Sequence, residues 1–326
     1  MSAQSSDNVY LTHYFAPLAA WLDRPDVTDL YINRPGELWL ETLSEAPVPI
    51  AAPELTRSVL ARLVRQIAAV SAQGIDREHP LLAATLPGGE RVQAVIPPAT
   101  RGEIAIAIRK HVAAAMRLDD YRANGATAAT AILADGELDR PRSPIAKDRD
   151  PIALLGRAVR ERRNVLISGG TSSGKTTFAN ALLREVPLGE RLVLIEDTPE
   201  LQYDHPNAIG LVAARGPMGE AAVSAEDLLI AALRLRPDRI ILGEVRGAEA
   251  VTFLRAVNTG HPGSITTIHA DSPMRAIDQL ALLVMQTGTR MAWDDVVTYV
   301  RKSIDVIVQL RRDGSGRRVE SVLLVD

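Results

Sequence analysis

Residues 164–184 read NVLIS-GGTSSGKTT-FANALLR, and three textures meet in that stretch. Asn164 to Ser168 is a short apolar run suited to a buried strand, and Thr177 to Arg184 spaces its apolar residues along one face of a helix. Between them Gly169, four free positions, Gly174, Lys175 and Thr176 complete the pattern G-x-x-x-x-G-K-[ST]. The chemistry asks for these types in this order. Glycines let the chain turn tightly enough for successive N–H groups to face a phosphate chain, and the positive end of the next helix adds to the attraction. Lys175 is placed to reach the β- and γ-phosphates, and the Thr176 hydroxyl to ligate Mg²⁺. Gly169, Gly170, Thr171, Ser172, Ser173, Gly174, Lys175, Thr176 and Thr177 are therefore the candidate residues for a nucleoside triphosphate.

Outward from this loop, strands and helices alternate. Asp150-Pro151 reads as an N-cap with proline at the first helical position, opening a helix to about Arg162. Strands are expected at Leu192–Ile195, Arg239–Leu242 and Ser264–Ile268, and helices at Ser224–Arg234, Ala248–Thr259 and Met274–Met285, the first with a capping-box pair Ser224…Asp227. That rhythm predicts an α/β domain with a mostly parallel sheet over 151–326. Asp305–Leu310 and Arg318–Val325 bracket Asp313-Gly314-Ser315-Gly316 as a terminal hairpin. Residues 138–150 are polar and proline-containing and read as a linker. Residues 1–137 read as a smaller α+β domain. It has a helix at Tyr14–Leu22, strands at Asp29–Asn33 and Glu37–Glu41, a helix over Pro53–Val70, a hairpin around Pro87-Gly88-Gly89, and a strand ending Ile108-Arg109-Lys110. Several strands without a βαβ rhythm suggest a mixed sheet there.

Three strand ends after the phosphate loop carry titratable groups: Glu196-Asp197, Glu244 within Gly243-Glu244-Val245-Arg246, and His269-Ala270-Asp271. In an open α/β sheet ligands sit off the carboxyl ends of the strands, so these side chains are expected near the triphosphate. Lys175, Glu244, Glu196 and His269 are the candidate catalytic set, with Glu244 or Glu196 supporting the Thr176-bound Mg²⁺ through water. His261, inside Thr259-Gly260-His261-Pro262-Gly263, reads as a turn residue.

Together these motifs resemble the type IV secretion traffic ATPases, a conjugal-transfer family, over nearly the whole chain. IEDTPEL at 195–201 resembles the family's Asp box, RPDRIILGEVRGAEA at 236–250 its Walker B region and TGHPGSITTIHADSP at 259–273 its His box; INRPGELW at 32–39 is similar to its N-terminal domain. Ser172 departs from a common glycine, and His111-Val112 from an expected Pro-Ser. The resemblance implies a RecA-like motor domain that hydrolyses ATP, a hexameric ring, and a cytoplasmic protein attached peripherally to the inner membrane. It implies channel components as partners and a secreted protein or relaxase–DNA complex as cargo. It also implies ATP bound between the two domains of one subunit, with hydrolysis rocking the N-domains, and places Arg109 on the nucleotide phosphates.

Composition is consistent with this. The 326 residues carry Lys+Arg 37 against Asp+Glu 40, with no cysteine, so disulfides and Cys-ligated metal sites are excluded. A net charge of −3 with 4% aromatics disfavours the reading as a RecA-like DNA-dependent ATPase, and no sequence-specific nucleic-acid contact is expected. A type II secretion or type IV pilus motor is the nearer alternative. Such assembly motors usually carry a four-cysteine element, although retraction motors also lack it.

Overall fold

A computed structural model describes residues 15–110, 150–214, 221–313 and 316–325. His111-Val112 and the expected linker, apart from Asp150, lie outside these residues. The described chain forms two sheets.

The first comprises β1 (Val27–Ile32), β2 (Gly36–Thr42), β3 (Val48–Ala52), β4 (Leu81–Thr85), β5 (Arg91–Val95) and β6 (Ala105–Arg109), in the order β3-β2-β1-β6-β5-β4. Every neighbouring pair is antiparallel, so the expected mixed sheet is corrected. The reason is local: the β1–β2, β2–β3, β4–β5 and β5–β6 connections are too short for a parallel crossover. Alternation along the strands splits the sheet's faces. Leu30, Ile32, Leu38, Leu40, Ile106 and Ile108 join a core with Leu60, Leu63 and Ile67 of the helix Arg57–Val70. That helix is capped by Thr56, whose hydroxyl accepts from Val59 N. The intervening Tyr31, Trp39, Ala105 and Ala107 face the other way, into the core of the second sheet.

The second sheet has the order β13-β12-β7-β11-β10-β8-β9 and is parallel except for the β12–β13 hairpin. Its strands are β7 (Val165–Gly169), β8 (Leu192–Glu196), β9 (Ala208–Val212), β10 (Arg239–Leu242), β11 (Ile265–Ile268), β12 (Val306–Asp313) and β13 (Gly316–Leu324). Helices Pro151–Arg160, Lys175–Leu183, Ala225–Arg234, Glu249–Asn258, Pro273–Met285 and Trp293–Ser303 accompany them. Both expected caps form: Asp150 accepts from Ile152 N at 2.9 Å, and Ser224 and Asp227 complete a capping box. Parallel strands buried on both faces explain why β7, β8 and β10 are mostly apolar and why every residue of these strands and of β11 is buried.

The two sheets are joined through the edge strand β9. Thr100 pairs antiparallel with Leu211, Arg101 N donates to Gly210 O at 2.8 Å, and Val212 N to Ala99 O at 3.0 Å. This added segment covers an edge that would otherwise present unpaired N–H and C=O groups. Nearby, the fully buried Arg191 places its guanidinium 4.2 Å from the Tyr31 ring centre and donates to Asn33 Oδ1 at 3.0 Å. No helix among the described residues is long and apolar enough to cross a membrane.

Candidate active site

The carboxyl ends of β7, β11, β10 and β8 lie side by side, so four consecutive strands deliver the phosphate loop, His269, Glu244 and Glu196 to one edge. A cleft of about 490 Å³ opens there, lined by residues 171–177 of the loop together with Glu196, Asp197, Glu244, Arg246, Thr267, His269 and Arg317.

The loop's shape depends on its glycines at two points. A Cβ on Gly169 would fall 2.4 Å from Ser173 Oγ and 2.9 Å from Leu310 O, so a larger residue cannot pass. Gly174 caps the following helix at φ +95°, a left-handed conformation open to glycine at little cost. Ser172, where glycine is common in the resembled family, also has positive φ, at 58°. The Ser173 hydroxyl is buried without a hydrogen-bond partner among the described residues, a polar atom that suits a phosphate ligand.

Lys175, at the first position of the helix, turns back over the loop. Its Nζ donates to Gly169 O at 3.0 Å and Gly170 O at 3.3 Å, and approaches His269 Nδ1 at 3.2 Å. His269 Nε2 lies 3.0 Å from Glu244 Oε1, so an imidazole protonated on Nε2 accepts from Lys175 and donates to Glu244. Arg246 completes the chain, donating to Glu244 Oε2 at 2.6 Å and to Asp197 Oδ2 at 3.3 Å. Burial pushes the Lys175 ammonium below its ordinary pKa against the opposing pull of Glu244. The hydrogen bond to Glu244 pushes Arg246 up.

Two expected residues behave differently. Glu196 lines the cleft, but Oε1 accepts the N–H groups of Glu200 at 2.8 Å and Leu201 at 2.7 Å, and Oε2 pairs with Arg101 from the first sheet. Those contacts fix the turn 196–201, while Glu196 stays on the cleft wall beside Glu244, where it was expected to support that acid. Arg109 is not brought to the phosphate loop. It donates to Asp29 Oδ1 at 2.8 Å at the end of β6 and does not line the cleft. Arg101, from the segment between β5 and β6, reaches the cleft-lining Glu196 instead and also donates to Leu201 O at 2.9 Å. His261 contacts Ala256 O at 3.3 Å through Nδ1, away from the cleft, as a turn residue should.

Arg101, Arg246 and Arg317 were not expected from sequence. Arg246 stands two residues from Glu244 and was within reach of the motif. Arg101 and Arg317 depend on long-range docking that no local pattern carries. Among the described residues no cluster of three His, Cys, Asp or Glu forms a metal cage. Mg²⁺ is commonly held by one or two protein oxygens plus phosphates and water, and Thr176 in the cleft offers such an oxygen.

Fold and site together define a P-loop ATPase with a parallel-sheet, RecA-like motor domain. The type II/IV secretion system protein family matches residues 145–317. The type IV secretion system protein VirB11 of Bartonella quintana is 36% identical over 312 residues, covering 91% of this chain and 87% of that protein. PtlH of Bordetella pertussis, also a type IV secretion system protein, is 39% identical over 319 residues, covering 92% and 90%. The crystal structure of the VirB11 ATPase from the Brucella suis type IV secretion system, in complex with sulphate, superposes with a TM-score of 0.86 at 35% identity, over 99% of this chain and 96% of that one. The chain belongs to the type II/IV secretion family and, within it, to the type IV secretion traffic ATPases.

Proposed function

We propose that the chain hydrolyses ATP at the cleft between Lys175 and Glu244 to power type IV secretion. The observation that supports this reading most directly is the contiguous order of β7, β11, β10 and β8, which gathers cation, histidine and carboxylate around one phosphate loop. A triphosphate entering the loop competes with the Gly169 and Gly170 carbonyls and with His269 for the Lys175 ammonium. Lys175 then carries the charge of the transferring phosphoryl group. Glu244, held in place by Arg246, orients and deprotonates the attacking water. His269, released from Lys175 but still beside Glu244, reports the arrival of the phosphate to β10 and its loop. Bound Mg²⁺, held by Thr176 and the phosphates, would neutralise charge on the β- and γ-oxygens.

The same reading assigns a hexameric ring as the working assembly, attached peripherally to the cytoplasmic face of the inner membrane and moving a protein or relaxase–DNA cargo with channel components. Purified protein should turn over ATP and Lys175→Ala should not; equal turnover in both would remove the basis of the assignment. Sedimentation of the nucleotide-loaded protein should give six times the chain mass of 35.2 kDa. Membrane flotation with the other channel components should recover it without detergent.

A further inference from the structure

The terminal hairpin β12–β13 does more than close the sheet. β12 runs parallel to β7 with Leu310 opposite Gly169, so residues 311–313 continue past the point where β7 turns into the phosphate loop. The returning strand brings Arg317 over that loop. Arg317 Nε donates to Ser172 O at 3.0 Å, its Cδ lies 3.3 Å from where a Gly174 Cβ would stand, and it lines the cleft.

Strand alternation sorts the four arginines of this hairpin into two rungs, Arg311 opposite Arg318 and Arg312 opposite Arg317. The first rung is neutralised within the hairpin: Arg311 pairs with Glu320 at 2.7 Å and Arg318 with Asp313 at 3.1 Å. Arg312 and Arg317 have no ion pair among the described residues. Like charges directly opposite in an antiparallel pair destabilise it. The rung on the cleft side is thus a cationic pair with no counter-charge among the described residues, and an anion there would relieve the repulsion.

We propose that Arg317, backed by Arg312, is a second cationic contact for the phosphate chain of a nucleoside triphosphate, supplied by the C-terminal hairpin. It rests on the reading of residues 169–177 as the nucleotide site. Binding then fastens the hairpin to the loop through one shared ligand, with the guanidinium fork taking phosphate oxygens while Nε keeps Ser172.

The test is binding of a fluorescent ATP analogue, MANT-ATP, to the full chain across a potassium chloride series, with ATP turnover measured alongside. Arg317→Ala should weaken binding by about 10-fold, the range of one charge-assisted hydrogen bond. The salt dependence of binding should flatten, KM for ATP should rise, and kcat should stay near wild type. Arg317→Lys should fall between, keeping the charge and losing the fork. Arg318→Ala, on the neutralised rung of the same exposed hairpin, should bind as wild type. Wild-type affinity and salt slope in Arg317→Ala would overturn the proposal, as would equal losses in Arg317→Ala and Arg318→Ala. Lys175→Ala separates the two levels. If it binds MANT-ATP normally, the loop is not the nucleotide site and both readings fall. If it loses binding while Arg317→Ala does not, only the hairpin contact falls.

Discussion

Arg101→Ala is the most informative perturbation of the junction between the two sheets. The Arg101 and Glu196 side chains are 19% and 3% exposed, so the pair is largely shielded from water. Removing one member of a buried ion pair costs about 3–5 kcal/mol, because the other charge is left without compensation. Glu196 retains two backbone N–H donors on Oε1, from Glu200 and Leu201, and borders the open cleft. Both features soften the loss, placing the cost near the lower end, about 3 kcal/mol. The functional consequence follows from geometry. The turn that Glu196 holds supplies Asp197, Thr198 and Glu200 to the cleft, so loosening it should raise KM for ATP.

The assay is a double-mutant cycle in urea unfolding, pairing Arg101→Met with Glu196→Leu. Each single change strands a charge, whereas the double change leaves none, so the double variant should recover most of the stability. Gly210→Ala provides an independent approach without touching either charge. Its Cβ would lie 2.4 Å from Arg101 Cδ, forcing the side chain off its seat, and should raise KM in the same direction as Arg101→Ala. Additivity of the two single changes to within about 0.5 kcal/mol would show that the pair is not coupled and would refute the reasoning.

Glu244→Gln should bind ATP and lose roughly 10²–10⁴-fold in turnover; full-rate hydrolysis would dismiss Glu244 as the base. His269→Ala should lose less single-turnover chemistry than Glu244→Gln while cargo transfer falls strongly, and equal chemical losses would contradict the sensing role. ATP binding should take up protons on the alkaline side. Burial holds the Lys175 pKa below its ordinary 10.5, and phosphates favour the charged form, so affinity should fall as pH rises through the lowered value. Calorimetry in buffers of different ionisation heat would detect the uptake, and its absence would argue against Lys175 as the phosphate ligand. Burial also lowers the His261 pKa below 6.5, so the unfolded chain takes up this proton first as pH falls. The His261 contribution to stability is complete above pH 6.5 and is lost on going down through the folded value; His261→Gln should flatten that part of the curve.

The parts of the molecule legible in the sequence are those whose signal is local. The phosphate loop, the caps at Asp150 and Ser224, and the strands β7, β8, β10 and β11 all declare themselves within a dozen residues. Buried parallel strands are rich in apolar residues, and their carboxyl ends carry the chemistry. β9 was missed because Ala208–Val212 is short and holds Gly210, a residue that reads as a break; the structure needs it small because Arg101 lies across it. β3 was missed because Pro49 weakens the strand signal, although an edge position tolerates the absent donor. The helix Trp293–Ser303 begins without a side-chain cap, and only its acidic first turn and basic last turn mark it. Arg109 was expected in the site from the resemblance and Glu196 from its place at a strand end, whereas the cleft is also shaped by pairs 95 or more residues apart, Arg101 with Glu196 and Arg317 with Ser172. Such pairs form only once two sheets have docked and a hairpin has found its register, so the residues that carry them look like ordinary surface arginines until the fold exists.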